Sequence, residues 1–441
     1  MQAPSTPESL LILGASARAA AWSAQRAGYE PLAADMFGDR DLAVCRQTRL
    51  VRDYPRGLER AARSLPDAPW MYTGALENQP ALVDRIAAYR TLYGNRGAVL
   101  RRVRDPFQVA AALQAAGLPV PEVARSVASC GSGTWLCKPF HSCGGDRITR
   151  FEVGPKVPQE VESEAHAEPR VARDSTSVSP SQLGVSADYT ARGQVGPFVE
   201  RNLFRFSLNG LKSVLRQSCP RAAYYQRFIA GAGACGAVFV AAGGRAVLLG
   251  TTHQWAGTHW AGAAGFRYSG SGGPQELDPS VETSLRLVGD CLASSFALTG
   301  LFGVDAIIAD QTVWPVEVNP RYTASVEILE RALGVQTIRL HVHACCWGEL
   351  PATQPATPIC HCGKQIIYAR RDIRIPPEFI ALADEANAGS VWPSLADIPA
   401  VGVRIARSQP VVTVLADGAD LAVVVRQLRQ RAKQVQELLR C

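Results

Sequence analysis

One stretch of nine residues constrains the fold of this chain more than any other part of its sequence. Within residues 314–322, Glu317 and Asn319 lie two positions apart in a short apolar run. Because alternate side chains of a strand point to the same face, both would share one face of a sheet. Residues 301–308 form a second apolar run that holds one carboxylate, Asp305. We predict that a hairpin through residues 309–312 sets Asp305 beside Glu317.

The oxygen atoms of this hairpin indicate its chemistry. Two carboxylates and an amide oxygen make the kind of site that Mg²⁺ prefers when it also holds phosphate oxygens. Arg321 follows Asn319 in the same strand phase, so its guanidinium can reach the same phosphates. The alternative is a strand end with an exposed Glu317, but a lone charge inside each of two paired apolar strands is unfavourable without a partner. We therefore predict that Asp305, Glu317 and Asn319 are metal ligands in a phosphoryl-transfer site.

A second segment has features of a nucleotide clamp. Residues 135–140 predict a strand that carries Lys138, and a loop with Gly144 and Gly145 follows it. A lysine at a strand end can contact phosphates, and the N–H groups of a glycine loop can cover them. A plain hairpin turn is the alternative for two adjacent glycines. The metal-binding pattern downstream favours the clamp.

Composition excludes several classes of protein. The chain of 441 residues is long enough for two to four domains with buried cores. Its net charge of +7 is modest and its arginines are scattered, so we expect no nucleic-acid partner. No apolar run approaches the roughly 20 residues that a membrane helix needs. The first residues lack the basic region of a secretory signal, so we expect a cytoplasmic protein without a membrane partner.

The 12 cysteines include one group with histidines that needs a separate interpretation. His341, His343, Cys345 and Cys346 are followed by a Cys-His-Cys triplet at residues 360–362. These residue types suit zinc, but their spacings match no structural zinc motif. A packing role on a helix fits them equally well, and both interpretations stay open at this point.

The N-terminal residues predict a βαβ unit. An apolar strand over residues 9–13 leads into Gly14 and a helix that ends near Ala27, and a second strand runs from Glu30 to Asp35. Such a turn can approach a phosphate at the helix N-terminus. Asp35 also stands where a dinucleotide fold places its ribose-binding carboxylate. An NAD-binding oxidoreductase is therefore one alternative for this chain, although Gly14 lacks the further glycines of that fingerprint.

Together with residues 319–327, these segments resemble the ATP-grasp superfamily over nearly the whole chain. Within the superfamily, they are most similar to the ATP-dependent carboligases related to biotin carboxylase. The resemblance implies an α+β protein with the ATP-grasp fold. It places a Rossmann-like domain at residues 1–98, a two-lobed ATP-grasp domain at 99–345 and a small β-rich domain with a terminal helix at 346–441. A segment rich in Pro and Ser, residues 153–197, would interrupt the second domain as an insertion.

The resemblance also implies roles for individual residues. Lys138 would contact the α- and β-phosphates and, with Arg321, stabilise charge during catalysis, while Gly144 and Gly145 would form a mobile flap. A larger set would bind the adenine or the second substrate. The adenine hinge would be Gln226, Arg227, Phe228 and Ile229, and the substrate candidates are Gly14, Tyr322, Thr323, Ser325 and Glu327. Relatives often carry a lysine before the helix that begins near residue 106, where this chain has Arg101, Arg102 and Arg104.

The function implied is that of an ATP-dependent ligase. Such an enzyme activates a carboxylate as an acyl phosphate for attack by an amine, in this case with cofactor biosynthesis as the suggested setting. ATP and Mg²⁺ are the expected cofactors, with Mn²⁺ as an alternative metal, and the partners are small carboxylates and amines. A bicarbonate-activating carboxylase and a non-catalytic nucleotide-binding module remain alternatives, and homo-oligomerisation stays open. Against the carboxylase, Ser325 stands where biotin carboxylases carry a glutamate.

Overall fold

The computed structural model describes residues 8–155, 222–231, 233–352 and 357–440. The predicted insertion at 153–197 lies outside the described residues, apart from its first three positions. None of the helices in these ranges is long and apolar enough to cross a membrane.

The N-terminal part forms a four-stranded parallel sheet with strand order β3-β2-β1-β4. Leu10 to Leu13 of strand β1 are fully buried, because helices cover the sheet and a parallel sheet needs both faces covered. The predicted βαβ unit is confirmed. The elements are β1 (Ser9–Leu13), α1 (Arg18–Arg26), β2 (Glu30–Asp35), β3 (Gln47–Leu50), α2 (Leu58–Ser64), β4 (Trp70–Tyr72) and α3 (Pro80–Ala87).

Two helices lead into a small antiparallel lobe with strand order β5-β8-β6-β7. The second of these helices begins after Asp105, whose side chain accepts a hydrogen bond from the Phe107 N–H as an N-cap. The elements are α4 (Gly97–Val103), α5 (Pro106–Ala115), β5 (Val123–Ala124), β6 (Gly133–Pro139), β7 (Thr149–Val153) and β8 (Ala223–Arg227).

Long antiparallel strands and three helices make up the next part of the chain. Phe239 and Phe302 stack in its core with ring centroids 4.9 Å apart. The elements are β9 (Gly233–Ala242), β10 (Arg245–Ala256), β11 (Tyr268–Gly273), α6 (Pro279–Phe296), β12 (Gly300–Ala309), β13 (Thr312–Asn319), α7 (Ala324–Leu333) and α8 (Thr337–Trp347).

The C-terminal part adds five strands and two helices. Its last helix begins after Asp420, which accepts a hydrogen bond from the Val423 N–H, so the predicted N-cap and terminal helix are confirmed. The elements are β14 (His361–Tyr368), β15 (Ile373–Arg374), α9 (Pro377–Asn387), β16 (Leu395–Ala396), β17 (Arg404–Ile405), β18 (Pro410–Gly418) and α10 (Leu421–Leu439).

One sheet of eight strands joins the part of the chain from β9 to β13 with the C-terminal part. Its strand order is β13-β12-β9-β10-β11-β14-β18-β16. The strands predicted for the C-terminal region therefore extend the same sheet that carries the predicted metal-binding hairpin. Helix α10 covers the C-terminal half of this sheet with Val424, Leu428, Ala432, Val435 and Leu439, which are all buried. The mixed helices and sheets agree with the predicted α+β class.

Candidate active site

The predicted hairpin is present, and its register sets the two carboxylates opposite each other. Asp305 pairs with Glu317, and Gly303 pairs with Asn319. The turn consists of Asp310 and Gln311 with φ of 48° and 59°, as a two-residue hairpin turn with the twist of its strands requires. The register shifts just after Asp305. This irregularity lies at Val316, whose carbonyl oxygen accepts hydrogen bonds from the facing lobe, as described below.

Asp305 is held by two amide groups. Its Oδ1 accepts from Gln254 Nε2 at 2.6 Å, and its Oδ2 accepts from Asn319 Nδ2 at 3.1 Å. Burial raises the pKa of Asp305 to about 6, and the charge of Glu317 adds to this shift although the Gln254 hydrogen bond opposes it. The carboxylate is thus held in place but its charge is poorly compensated by the protein alone.

Glu317 is compensated by a residue that sequence reasoning did not select. Arg104, at the end of α4, donates from Nη1 to Glu317 Oε1 at 2.8 Å and to the Val318 carbonyl at 2.9 Å. Burial would raise the pKa of Glu317, but Arg104 and then Lys138 outweigh it, so the pKa lies below its usual value. Arg104 was one of three arginines noted where relatives carry a lysine, and the structure brings this one into the site.

Arg321 lies beside the same oxygen cluster. Its Nη2 donates to Asn319 Oδ1 at 3.1 Å, and its Nε lies 2.8 Å from Glu77 Oε1 in an ion pair. Burial would lower the pKa of Arg321, but the charge of Glu77 more than compensates, so the guanidinium stays protonated. Glu77 comes from the loop after β4 and was not predicted.

Lys138 faces the hairpin from the small lobe. Its Nζ donates to Gln226 Oε1 at 3.0 Å and to the Val316 carbonyl at 3.2 Å, and only 6% of the residue is exposed. The lobe and the hairpin enclose a cleft with charged and apolar walls. Its lining includes Arg104, Lys138, Gln226, Glu317, Tyr224, Phe140, Val103, Val109, Val120 and Val123.

The predicted hinge residues divide between two faces of β8. Gln226 points into the cleft, whereas the guanidinium of Arg227 lies on the other face, donating to the Ser132 carbonyl. The N–H of Arg227 donates to the Glu122 carbonyl at 2.8 Å. Arg227 therefore offers the cleft no side chain.

The two residues after Arg227 lie beside the small lobe. The N–H of Phe228 donates to the Thr134 carbonyl at 3.0 Å, and the Arg150 guanidinium lies 4.3 Å from the Phe228 ring centroid. Neither Phe228 nor Ile229 is among the residues that line the cleft described above.

The glycine loop closes over the edge of β11. Gly144 and Gly145 have φ of 66° and 75°, in the left-handed region that favours glycine. The Gly144 carbonyl accepts from the Tyr268 N–H at 2.9 Å, and a Cβ on Gly145 would lie 2.0 Å from the Phe266 carbonyl oxygen. The loop therefore needs glycine where it packs most closely.

The substrate candidates after Arg321 lie at the start of α7 and make internal contacts. Tyr322 is 4% exposed, and its hydroxyl donates to the Ala19 carbonyl at 3.5 Å. Thr323 is the residue before the helix, and its methyl group packs against Gly303. Ser325 is 2% exposed and accepts from Thr252 Oγ1 at 2.8 Å.

Two further substrate candidates lie at the junction with the N-terminal sheet. Glu327 accepts hydrogen bonds from Arg18 of α1 and, at 3.1 Å, from Lys364 Nζ of β14. Burial would raise the pKa of Glu327, but Arg18 and Lys364 lower it well below its usual value. Gly14 packs against Thr73, where a Cβ would overlap the hydroxyl. The Glu327 side chain is therefore already bonded within the protein, and Gly14 has only its backbone to offer a ligand.

In the described residues, the two histidines of the histidine and cysteine group bond to other groups of the protein. His341 Nδ1 accepts from the Leu301 N–H at 2.8 Å, and its Nε2 lies 3.2 Å from the Tyr93 carbonyl oxygen. Burial lowers the pKa of His341 to about 4. His343 pairs with Glu349 at 3.1 Å. Across the described ranges, no three His, Cys, Asp or Glu side chains are grouped so that they alone could hold a metal ion.

Comparisons with known proteins bear on the fold that carries this site. A family model described as an ATP-grasp domain matches residues 211–325. No curated protein matches the chain at a significant level. The match to the family model covers the hairpin and lies inside the range predicted for the ATP-grasp domain.

Three solved structures share the fold of nearly the whole chain. An N5-carboxyaminoimidazole synthase from Aspergillus clavatus, in complex with ADP and 5-aminoimidazole ribonucleotide, is similar with a TM-score of 0.63, 10% identity and coverage of 98% of this chain and 99% of that one. An L-amino acid ligase from Bacillus licheniformis has a TM-score of 0.62 and 12% identity, with 97% of each chain covered. A biotin carboxylase from Campylobacter jejuni has a TM-score of 0.62 and 13% identity, with 95% and 89% covered.

Proposed function

We propose that this chain, whose residues 211–325 match an ATP-grasp domain model, is an ATP-dependent ligase that activates a substrate carboxylate for attack by an amine. The observation that carries the proposal is that Glu317, Lys138 and Arg104 line one cleft, while Asp305 pairs with Glu317 across the hairpin and Arg321 bonds to Asn319 beside it. These residues come from the hairpin and from two other segments. A cleft with oxygen ligands on one wall and cations around it suits a nucleotide with its metal.

The residues present fit a magnesium ion. Asp305, Glu317 and Asn319 would hold it, and the ion would neutralise charge on the terminal phosphates of ATP. Burial and the charge of Glu317 raise the pKa of Asp305 to about 6. A divalent cation would relieve both effects, which supports the proposal that these residues hold one.

The cationic side chains of Lys138 and Arg321 would then act on the phosphoryl group as it is transferred. A substrate carboxylate oxygen attacks the γ-phosphorus while the bond to the β,γ-bridging oxygen breaks, which yields ADP and an acyl phosphate. Lys138 and Arg321 stabilise negative charge on the phosphoryl oxygens. Arg104 holds Glu317 in its ionised form. The amine then attacks the acyl carbon, loses its proton, and releases inorganic phosphate.

The glycine loop follows Ser142, which lines the cleft, and is our candidate for protecting the intermediate. An acyl phosphate hydrolyses if water reaches it, so the site must be covered during the reaction. Gly144 and Gly145 contact Tyr268 and Phe266, and Asp146 pairs with Arg267 at 3.4 Å. We therefore propose that this loop is the cover over the phosphates.

No observation favours the dinucleotide alternative over ATP. The carboxylate of Asp35 is 1% exposed, and it accepts hydrogen bonds from the N–H groups of Ala17, Phe37 and Gly38. The carboxylase alternative is not favoured either, because Ser325, which stands where biotin carboxylases carry a glutamate, is buried and bonded to Thr252. An amine-accepting ligase in cofactor biosynthesis remains our proposal for the reaction.

The first experiment compares the melting temperature of the protein with Mg·ATP and with NAD(P)H. A ligand that binds the folded state raises the free energy of unfolding by RT ln(1 + [L]/Kd), and the melting temperature rises with it. We expect Mg·ATP to stabilise the wild type but not Glu317→Ala, and Lys138→Met to lose most of the shift. ADP release in the presence of pooled carboxylic acids and amines then identifies the substrates. Stabilisation by NAD(P)H without any response to Mg·ATP would refute the ligase.

A further inference from the structure

The N-terminal part of the chain contributes a loop to the candidate active site. The loop lies between β4 and α3, and it contains a short 3₁₀ turn at Leu76–Asn78. Ala75, which precedes this turn, has φ of 75°, an unfavourable value for a residue with a side chain. Such backbone is retained where the surrounding contacts enforce it, often near functional sites. The contacts of Glu77 and Asn78 show what the loop does.

Glu77 is a deeply buried carboxylate whose ion-pair partner is Arg321. It is 1% exposed, and within the described residues its single ion pair is the one to Arg321 Nε, at 2.8 Å. A buried charge without a partner is strongly unfavourable, so the ion pair holds the two side chains close together. The attraction is one of charge, since within the described residues neither Glu77 oxygen nor Arg321 Nε has a partner with hydrogen-bond geometry. Glu77 is thus placed to set the orientation of the guanidinium.

The neighbouring residue connects the loop to the rest of the site. Asn78 Nδ2 donates to the Ser142 carbonyl at 3.1 Å, and Asn78 Oδ1 accepts from Arg104 Nη2 at 3.3 Å. Ser142 lies just before the glycine loop. The same short turn therefore contacts Arg321, Arg104 and the segment that leads into the cover.

The base of Arg321 is also fixed by the N-terminal part. The hydroxyl of Tyr72, at the end of β4, donates to the Asn95 carbonyl at 2.8 Å and lies 3.3 Å from the Pro320 carbonyl oxygen. Asn95 Nδ2 lies 3.5 Å from the same Pro320 oxygen. The turn that carries Arg321 is therefore held at its backbone as well as at its side chain.

Counting the donors of Arg321 shows what the ion pair leaves available. A guanidinium has five N–H groups. Within the described residues, Nε faces Glu77, one Nη1 hydrogen goes to the Tyr322 carbonyl at 3.2 Å, and one Nη2 hydrogen goes to Asn319 Oδ1 at 3.1 Å. Two N–H groups, one on each terminal nitrogen, then remain for an external acceptor. Charge-assisted N–H donors of this kind bind phosphoryl oxygens strongly.

We propose that Glu77 is a positioning residue that presents the two terminal nitrogens of Arg321 to the phosphoryl group in transfer. The inference rests on the proposed function, because it assigns Arg321 to that group. It implies that the N-terminal part of the chain completes the phosphoryl-transfer site. Glu77 itself acts through Arg321 and touches no substrate.

The test compares two ligands in Glu77→Gln, which removes the charge while keeping the shape. Binding of Mg·ADP, and of Mg·ADP with aluminium fluoride as a mimic of the transferring phosphoryl group, is measured by calorimetry. We expect affinity for Mg·ADP to stay within about twofold of the wild type and affinity for the fluoride complex to fall about tenfold or more. In an Arg321→Ala background the same substitution should have no further effect on that ratio, since Glu77 acts through Arg321.

Glu330→Gln is the matched control. Glu330 is 3% exposed and pairs with Arg26 at 2.8 Å between α7 and α1, so it is an equally buried carboxylate that joins the same two parts of the chain. Its loss should lower thermal stability without changing the ratio of the two affinities. If Glu77→Gln does not fold, Glu77→Asp, which keeps the charge on a shorter side chain, is measured in its place with the same expected loss for the fluoride complex.

The outcomes separate this inference from the proposed function. A wild type that does not bind Mg·ADP refutes the proposed function itself. A wild type that binds Mg·ADP but gains nothing from aluminium fluoride, or a Glu77 variant that weakens both ligands equally or neither, overturns the positioning role and leaves nucleotide binding intact.

Discussion

Replacing Asp305 by asparagine should stabilise the protein without ligand and remove the stabilisation that Mg·ADP gives it. The carboxylate is buried opposite Glu317, which is why its pKa is raised to about 6 from an ordinary value of 3.8. A folded state that prefers the protonated acid is destabilised once the pH exceeds the pKa of the unfolded chain. Asparagine is isosteric and uncharged, so it removes this penalty.

The size of the effect follows from the shift in pKa. About two pKa units at about 1.4 kcal/mol each give a penalty of roughly 3 kcal/mol at pH 7. Asparagine keeps one acceptor, so one of the donors, Gln254 or Asn319, loses its partner at a cost of about 1–2 kcal/mol. The net gain is therefore about 1–2 kcal/mol for the protein without ligand. It should be largest at neutral pH and should disappear as the pH falls from about 6 to about 4, where the wild-type acid is protonated in both states.

The assay is thermal unfolding of both proteins from pH 4.5 to pH 7.5, with and without Mg·ADP. At a ligand concentration 100 times Kd the wild type gains about 2.7 kcal/mol, which Asp305→Asn should lack. The order of stability should therefore reverse when Mg·ADP is added. Asp35→Asn is the matched control, since Asp35 is 1% exposed and burial raises its pKa, but it lies outside the hairpin. Its response to Mg·ADP should equal that of the wild type.

Two results would refute this reasoning. If Asp305→Asn is less stable than the wild type at pH 7 without ligand, the buried charge is not a source of instability. If it gains as much from Mg·ADP as the wild type does, Asp305 is not a metal ligand.

Three further predictions concern other parts of the structure. Arg104→Met removes the partner of Glu317 and should destabilise the protein by roughly 2–3 kcal/mol in urea unfolding. This lies below the range for fully buried ion pairs because 26% of the Glu317 side chain is exposed. An unchanged midpoint of urea unfolding would contradict the prediction. Gly145→Ala should expose the loop to limited proteolysis more than Gly144→Ala, whose Cβ would meet no atom within 4 Å; equal cleavage would disprove the packing argument. Because the pKa of His341 is about 4, neutral His341 should contribute about 3 kcal/mol to the free energy of unfolding above pH 6.5. This contribution is lost on acidification towards pH 4, so the difference in stability between the wild type and His341→Gln should shrink over that range.

The hairpin that carries the proposed metal ligands was predictable because every part of it is local. Alternation places Glu317 and Asn319 in one phase, and a two-residue turn fixes the register that sets Asp305 opposite Glu317. Arg321, which was expected in the same strand phase, lies beyond the end of β13. The same alternation on β8 separates Gln226 from Arg227, and it could have shown that only the first side chain faces the cleft. The N-cap at Asp420 was equally local, since it depends on residues within one turn.

The partners of these residues could not be predicted in the same way. Arg104 bonds to Glu317 across 213 positions of sequence, and three arginines near that place were equally plausible until the helix ends were positioned. Glu77 reaches Arg321 only because the turn after β4 is packed against the end of β13. Glu327 lies two residues after Ser325 in the motif, yet the structure pairs it with Arg18 and Lys364.

The sequence by itself therefore determined the local elements of the candidate site: oxygen side chains on a hairpin, a lysine on a strand and a glycine loop, all encoded by short-range periodicity and turn preferences. The tertiary structure decided which charges neutralise which carboxylates. Among the residues that the structure describes, no cationic side chain bonds directly to Asp305, whereas Glu317 and Glu77 each have an arginine. The physical reason is that Coulombic and desolvation effects depend on distance and burial in space, and both are set when distant segments pack together.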